Sequence, residues 1–465
     1  MPAIKTTDEH RIAFLKAAEN KVLKYQAEFW HEWDKKVNDF FGDKERKMQE
    51  HACTYGGFWL SKQEIGCLSE PLRLFFQKHM VKDGERYHLR GYSYYSADPL
   101  MYLTMHVPDD LSRWEGLREK WSEYKQLTVA DYKSTSTIDF VEWIAMLSLF
   151  EYVFNDITTM CWTLEKWKED NRYLNIGEIY ENNLINLADS VASVISRLMV
   201  LKEEMTINTL LNELERVLQN ESVEKILRWG ETHLQACTGY VRAIREADSL
   251  PLIYGAYTTK LSKHITSKTN QVCLFSNAFG SLNCALVFKH LLKGTTEAKA
   301  YNVHYSQNRL DSDLFGSESK NVKIFGDDEA INIEKGQLSF VFDDCVFTGK
   351  TLRMIKEYLE ARGSSVKLLP LSLDIQSLMY YKAPGKSEEE LYADAKMAIE
   401  IAEEVGGVPP AFVAFWEWGK EKNRARDDDN TDYANVLNGG DLLLKVLWMR
   451  YRDSVLRPLN CNMGS

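Results

Sequence analysis

The chain has 465 residues, 45% of them hydrophobic and 27% charged, which is enough for two or three separate cores. A formal net charge of −11 argues against a surface that embraces nucleic acid as a whole, and the eight cysteines show neither the paired spacing of a zinc site nor the density of a disulfide scaffold. No stretch offers roughly 18 consecutive uncharged apolar residues, and the opening MPAIKTTDEHRIAFLK lacks the apolar core of a leader, so the expectation is a cytoplasmic protein without a membrane span.

The first hundred residues are irregular, with aromatic clusters at Phe29, Trp30 and Trp33 and at Tyr92, Tyr94 and Tyr95, and a Gly56-Gly57 break before Phe58-Trp59. Side chains of this size bury so much area that they read first as core. Between Pro108 and Pro251 there is no proline, while apolar residues recur at helical spacing through Ile138, Val141, Met146, Leu149 and Val153, then through Leu187, Val191, Val194, Leu198 and Leu201. Polar breaks near 168–175 and 219–222 divide this stretch into three or more packed helices, the last over about 222–247. The apolar run from Phe140 to Phe154 contains Glu142 and Glu151 and reads as a buried helix.

After Pro251 the pattern changes to short apolar runs alternating with amphipathic segments, as in strands and crossover helices of a parallel sheet. Strands are predicted at 271–275, 298–304, 322–325, 330–333, 338–342 and 366–373, with helices at 282–292 and 351–361 stopped by Gly294 and Gly363. A polar stretch, Ser306 to Lys320, separates the second strand from the third. Beyond 386 the chain returns to helical periodicity, strongest over 388–404 and again over 440–457. The expected class is therefore α/β: a parallel-sheet domain over 251–385, preceded by a mainly helical region, 1–250, and followed by a helical segment, 386–465.

The segment LSFVFDDCVFTGKT, 338–351, carries the chemistry. A buried strand delivers two adjacent carboxylates and then a Thr-Gly-Lys-Thr turn at a helix start, where unpaired backbone N–H groups and threonine hydroxyls cradle a phosphate. A nucleotide-triphosphate P-loop needs a glycine five positions before Gly349, and Asp344 stands there, so that reading is rejected. Vicinal carboxylates beside a phosphate turn suit a ligand with a 5′-phosphate and two ribose hydroxyls, because charged acceptors bind hydroxyl donors strongly.

The same segment resembles the signature of the type I phosphoribosyltransferases, and Asp343, Asp344, Thr348, Gly349 and Thr351 match it. Phe347 departs from it, standing where members usually carry a small residue. The resemblance extends upstream to CLFSNAFGSL, 273–282, which looks like the family's strand and pyrophosphate-contacting loop, and Ser306 to Lys320 occupies the place of its mobile substrate loop. The resemblance implies a phosphoribosyltransferase-like fold that binds phosphoribosyl pyrophosphate (PRPP) or a nucleotide together with Mg2+. It implies Asp343 and Asp344 as the catalytic and metal-contacting pair, Thr348, Gly349, Lys350 and Thr351 as the 5′-phosphate grip, and Ser276, Asn277, Gly280 and Ser281 as the pyrophosphate loop. Arg309, Lys320 and Lys323 would meet pyrophosphate from the mobile loop.

The resemblance covers about 130 of the 465 residues and names no acceptor. Phe412, Phe415, Trp416 and Trp418 are candidates to stack a base or to pack the C-terminal segment. Two function classes stay open: a magnesium-dependent phosphoribosyltransferase, and a non-catalytic PRPP or nucleotide sensor, regulatory or defence-type, that reports through its helices. The helical region is expected to meet a protein partner or a second copy of the chain.

Overall fold

A computed structural model describes residues 33–42, 51, 58–79, 81–83, 86–89, 110–129, 137–169, 174–233, 254, 257, 261–266, 269–277, 282–304, 323–324, 333–346 and 350–373. Residues 330–332 of the expected strand at 330–333, the loop Ser306 to Lys320 and the C-terminal helices lie outside these residues.

The N-terminal part begins with helix α1 (33–41), followed by β1 (Phe58–Ser61), α2 (Lys62–Cys67), α3 (Glu70–His79), β2 (Val81–Asp83) and β3 (Arg86–Leu89). The three strands form a small antiparallel sheet in the order β1-β3-β2, which the periodicity did not reveal. At three or four residues each, they are too short for an alternation to register. Ser61 opens α2 through a capping box, its hydroxyl accepting from Glu64 N–H while the Glu64 side chain accepts from Ser61 N–H.

Five long helices follow: α4 (Asp110–Val129), α5 (Phe140–Glu169), α6 (Leu174–Val200), α7 (Ile207–Leu218) and α8 (Glu221–His233). Trp143, Ile144, Ala145, Met146, Leu147, Leu149 and Phe150 of α5 are all fully buried. A helix apolar on every side must be wrapped by others, and α6, α7 and the smaller elements surround this one. Its buried charge is paired: Asp156 accepts from Lys120 Nζ at 3.1 Å and from the Tyr124 hydroxyl at 2.6 Å, and the ammonium lies 4.6 Å from the Tyr152 ring centroid. In α7 the buried residues Ile207, Leu210, Leu211, Leu214, Val217 and Leu218 trace one helical stripe, and the Thr206 hydroxyl accepts from Thr209 N–H at its start.

The sheet unit runs β4 (Gln271–Asn277), α9 (Leu282–Leu291), β5 (Glu297–His304), β6 (Lys323–Ile324), β7 (Leu338–Val346), α10 (Lys350–Glu360) and β8 (Ser365–Leu373). The order across the sheet is β6-β5-β4-β7-β8, with β5, β4, β7 and β8 mutually parallel and β6 antiparallel at the edge. Gly294 and Gly363, both at φ +90°, follow α9 and α10 in the left-handed conformation that ends a helix cheaply only at glycine. An α/β fold with four parallel strands is thus present, beside a region that is mostly helical.

Side chains alternate across each strand. Val272 and Leu274 of β4 and Phe340 and Phe342 of β7 join α9 and the helical region in one continuous core. Intervening residues such as Cys273, Phe275 and Val341 belong to the opposite face, which α10 covers with Leu352, Ile355 and Leu359. Among the described residues no helix is long and apolar enough to cross a membrane.

Candidate functional site at the carboxyl edge of β4 and β7

From β4 the chain crosses to β5 on one side and then returns to place β7 on the other side of β4. Such a reversal opens a crevice outside the carboxyl ends of the two strands, the usual ligand position in open parallel sheets. Ser276 pairs in register with Phe342, so the next residues along, Asn277 and Asp343, end up side by side. Asn277 Nδ2 donates to Asp343 Oδ1 at 3.5 Å, and the two residues are only 6% and 7% exposed. A carboxylate this buried needs donors around it, and the neighbouring strand supplies one.

Both strands lead directly into helices. Residues 278–281 join β4 to α9, and residues 347–349 join β7 to α10, so two helix N-termini, whose first N–H groups have no partner within the helix and carry a partial positive charge, start at this same end of the sheet. Lys350 is the first residue of α10, and Thr351, half-buried, is the second. Asp344 lies within β7, one residue beyond Asp343. Thr348, Gly349, Gly280 and Ser281 fall outside the described residues, as do Phe347, Arg309, Lys320 and the aromatic set Phe412, Phe415, Trp416 and Trp418.

Ser276 is oriented differently from its neighbour. Its hydroxyl is fully buried on the α9 side and accepts from Ala285 N–H at 2.8 Å. The Ser306 to Lys320 stretch is bracketed by β5 and β6, whose antiparallel pairing sets Val303 opposite Ile324 and His304 opposite Lys323. The flanking residues His304 and Lys323 therefore meet at the carboxyl end of β5, and the stretch between them lies outside the described residues.

Among the described residues no group of three or more His, Cys, Asp or Glu side chains could hold a metal ion by itself. Magnesium does not require one, because it commonly takes one or two carboxylates and completes its shell with phosphate oxygens and water. Asp343, at the mouth of a crevice flanked by helix N-termini, fits that mode. Burial pushes the thiol of Cys273, two residues before Phe275 on the same face of β4, up to about 11, which disfavours its thiolate.

Sequence reasoning missed what α9 contributes. Phe288 stacks on Phe342 with ring centroids 4.4 Å apart and planes 10° from parallel, and Asp189 of α6 accepts from Lys289 Nζ at 2.9 Å and His290 Nε2 at 3.0 Å. The available signal was the near-absence of a polar face in LNCALVFKHL, which marks a helix covered on both sides. No protein-family model matches the chain, and no curated protein matches it either.

Proposed function

We propose that the carboxyl edge of β4 and β7 binds a phosphorylated ribose, most simply PRPP with Mg2+, and transfers the phosphoribosyl group to or from a nitrogen nucleophile. The observation that supports this reading best is the juxtaposition of Asp343 with Asn277 at a strand-order reversal, where α9 and α10 both begin. The resemblance of the 338–351 segment, Asp343 included, to the type I phosphoribosyltransferase signature supports the same ligand.

In the forward direction the bond between the ribose anomeric carbon and pyrophosphate breaks, the nitrogen lone pair forms the new bond, and the nitrogen loses its proton. Positive charge develops on the ribose in between. Asp343 and Asp344 would accept hydrogen bonds from the ribose hydroxyls, fixing the ring and placing negative charge close to that developing cation. Residues 348–351, with the first N–H groups of α10, would hold the 5′-phosphate, and residues 276–281 would face pyrophosphate at the start of α9. When bound, Mg2+ offsets the charge of the departing pyrophosphate. Much of the rate would come from orientation, since the reacting carbon is fixed at both its phosphate and its hydroxyl side.

Calorimetric titration with PRPP, with and without Mg2+, combined with pyrophosphate release across a panel of bases and nucleotides, tests the reading. Magnesium-dependent binding with acceptor-dependent release is the expected result, and no binding in either condition would refute it. The double substitution Asp343→Asn with Asp344→Asn should abolish binding while leaving the thermal unfolding transition in place.

One observation favours a second reading. The helix that starts beside the crevice is also buried against α6, so occupancy has a physical route into the helical region. A sensor that binds PRPP or a nucleotide without turnover would use that route to present its helices to a partner, and binding without release under every acceptor is its signature.

A further inference from the structure

The helix α9 touches both halves of the site one residue short of the groups that face the ligand. On β4 the Ala285 N–H donates to Ser276, the residue before Asn277. On β7 the Phe288 ring stacks on Phe342, the residue before Asp343. Any shift of α9 therefore carries into both strand ends together. Its own position is set from the other side, where Lys289 and His290, in its last turn, converge on a single carboxylate, Asp189, in the middle of α6. Burial works against the charge of Asp189, but the hydrogen bonds from His290 and Lys289 prevail and hold its carboxyl below the ordinary range. Around this bridge the contact is apolar and closed: Cys284, Ala285, Val287 and Phe288 are fully buried in the core that α6 shares.

We propose that Asp189 is a positioning residue for the β4–β7 site, fixing α9 through Lys289 and His290 so that Asn277 and Asp343 stand in binding geometry. The proposal rests on the ribose-phosphate reading of that edge for its ligand, and on the described contacts alone for its mechanics. Close-packed helices transmit such displacements because the interior has no slack to absorb them. Coupling between sites is typically worth about 5–150-fold in affinity. Asp189 lies outside the crevice, so its effect must travel through α9.

The test compares Asp189→Ala with Glu213→Ala in the full chain. Glu213 of α7 pairs with Arg197 nearer the end of α6, so its removal weakens α6 packing without involving α9. Amide hydrogen exchange is followed without ligand at residues 274–277 and 341–343, and PRPP affinity is measured with Mg2+. Asp189→Ala should speed exchange at both strand ends and weaken PRPP by about 10-fold, while Asp189→Asn, which keeps an acceptor of the same shape, recovers most of that loss. Glu213→Ala should lower the unfolding temperature and change neither quantity. Unchanged exchange at both strand ends in folded Asp189→Ala overturns the proposal, and so does an equal affinity loss in Glu213→Ala. If the parent protein takes no PRPP, the ribose-phosphate reading falls on its own and the exchange pattern decides the role of Asp189.

Discussion

Gly230 in α8 lies against the indole of Trp114, and a Cβ added there would fall 2.2 Å from Trp114 Cε2 and Nε1. The ring cannot swing aside without giving up the hydrogen bond from Trp114 Nε1 to the Leu227 carbonyl at 2.8 Å. Alanine would gain about 1 kcal/mol in helix propensity, but overpacking of a closed contact costs about 1–3 kcal/mol. Gly230→Ala should therefore lower the urea midpoint. Glu64 makes a different residue-level prediction. Burial alone would raise its carboxyl, but hydrogen bonds from His51 and from the Ser61 backbone and hydroxyl bring it from an ordinary 4.5 down to about 2. A carboxyl whose folded pKa is depressed contributes stability that is complete above its unfolded pKa and disappears as pH falls through the folded one. The urea midpoints of the parent and Glu64→Gln should accordingly differ at pH 6 and converge between pH 4.5 and about 2. Asp343 was legible at this scale because a strand, two carboxylates and a turn form a compact pattern in the chain. Its contact with Asn277 was not, because the register of two parallel strands decides it.

Helix α6 ends in a way that local sequence does not announce. Leu201 takes a left-handed φ of 47°, unusual without glycine, and its N–H bonds back to the Arg197 carbonyl. The last carbonyls of a helix have no partner within it, and here two tryptophans from distant segments provide one. Trp143 Nε1 donates to the Leu198 carbonyl at 2.9 Å, and Trp33 Nε1 donates to the Met199 carbonyl at 2.8 Å. Trp143→Phe keeps much of the apolar volume and strands one buried acceptor, so a loss of about 1–3 kcal/mol is expected in chemical denaturation. The polar breaks near 168–175 and 219–222 do separate helices, since α5 ends at Glu169 and α6 begins at Leu174, while α7 ends at Leu218 and α8 begins at Glu221. The break at 201–206 escaped because neither glycine nor proline makes it, and Lys202-Glu203-Glu204 reads equally well as the polar face of a continuing helix. Strands and helices of the sheet unit fared better: short apolar runs bounded by turns lie close to their observed limits, with β7 extending through the two aspartates to Val346.

At the scale of the whole molecule, the change of pattern near Pro251 is not a gap in the core. Residues from α4 to α8 and from β4, α9 and β7 belong to one continuous apolar cluster. Removing residues 1–250 would uncover α9 along the side that meets α6, leaving an apolar surface no small domain tolerates. The remaining piece, 251–465, should show no cooperative thermal transition and should aggregate, as scanning calorimetry and sedimentation would reveal, whereas the intact chain should unfold these parts together. The alternation of strands and helices made the α/β class readable. Its fusion to the helices was not, because Asp189 lies 100 residues from Lys289 and the bridge leaves no local trace.

That separation also bears on how the chain is made. Synthesis runs from the N-terminus at about 5–20 residues per second, so α6 leaves the ribosome roughly 5–20 s before the helix that will cover it. During that interval the nascent chain presents an uncovered apolar stripe beside a lone Asp189. A pause in translation between these two points would lengthen the exposure of that stripe.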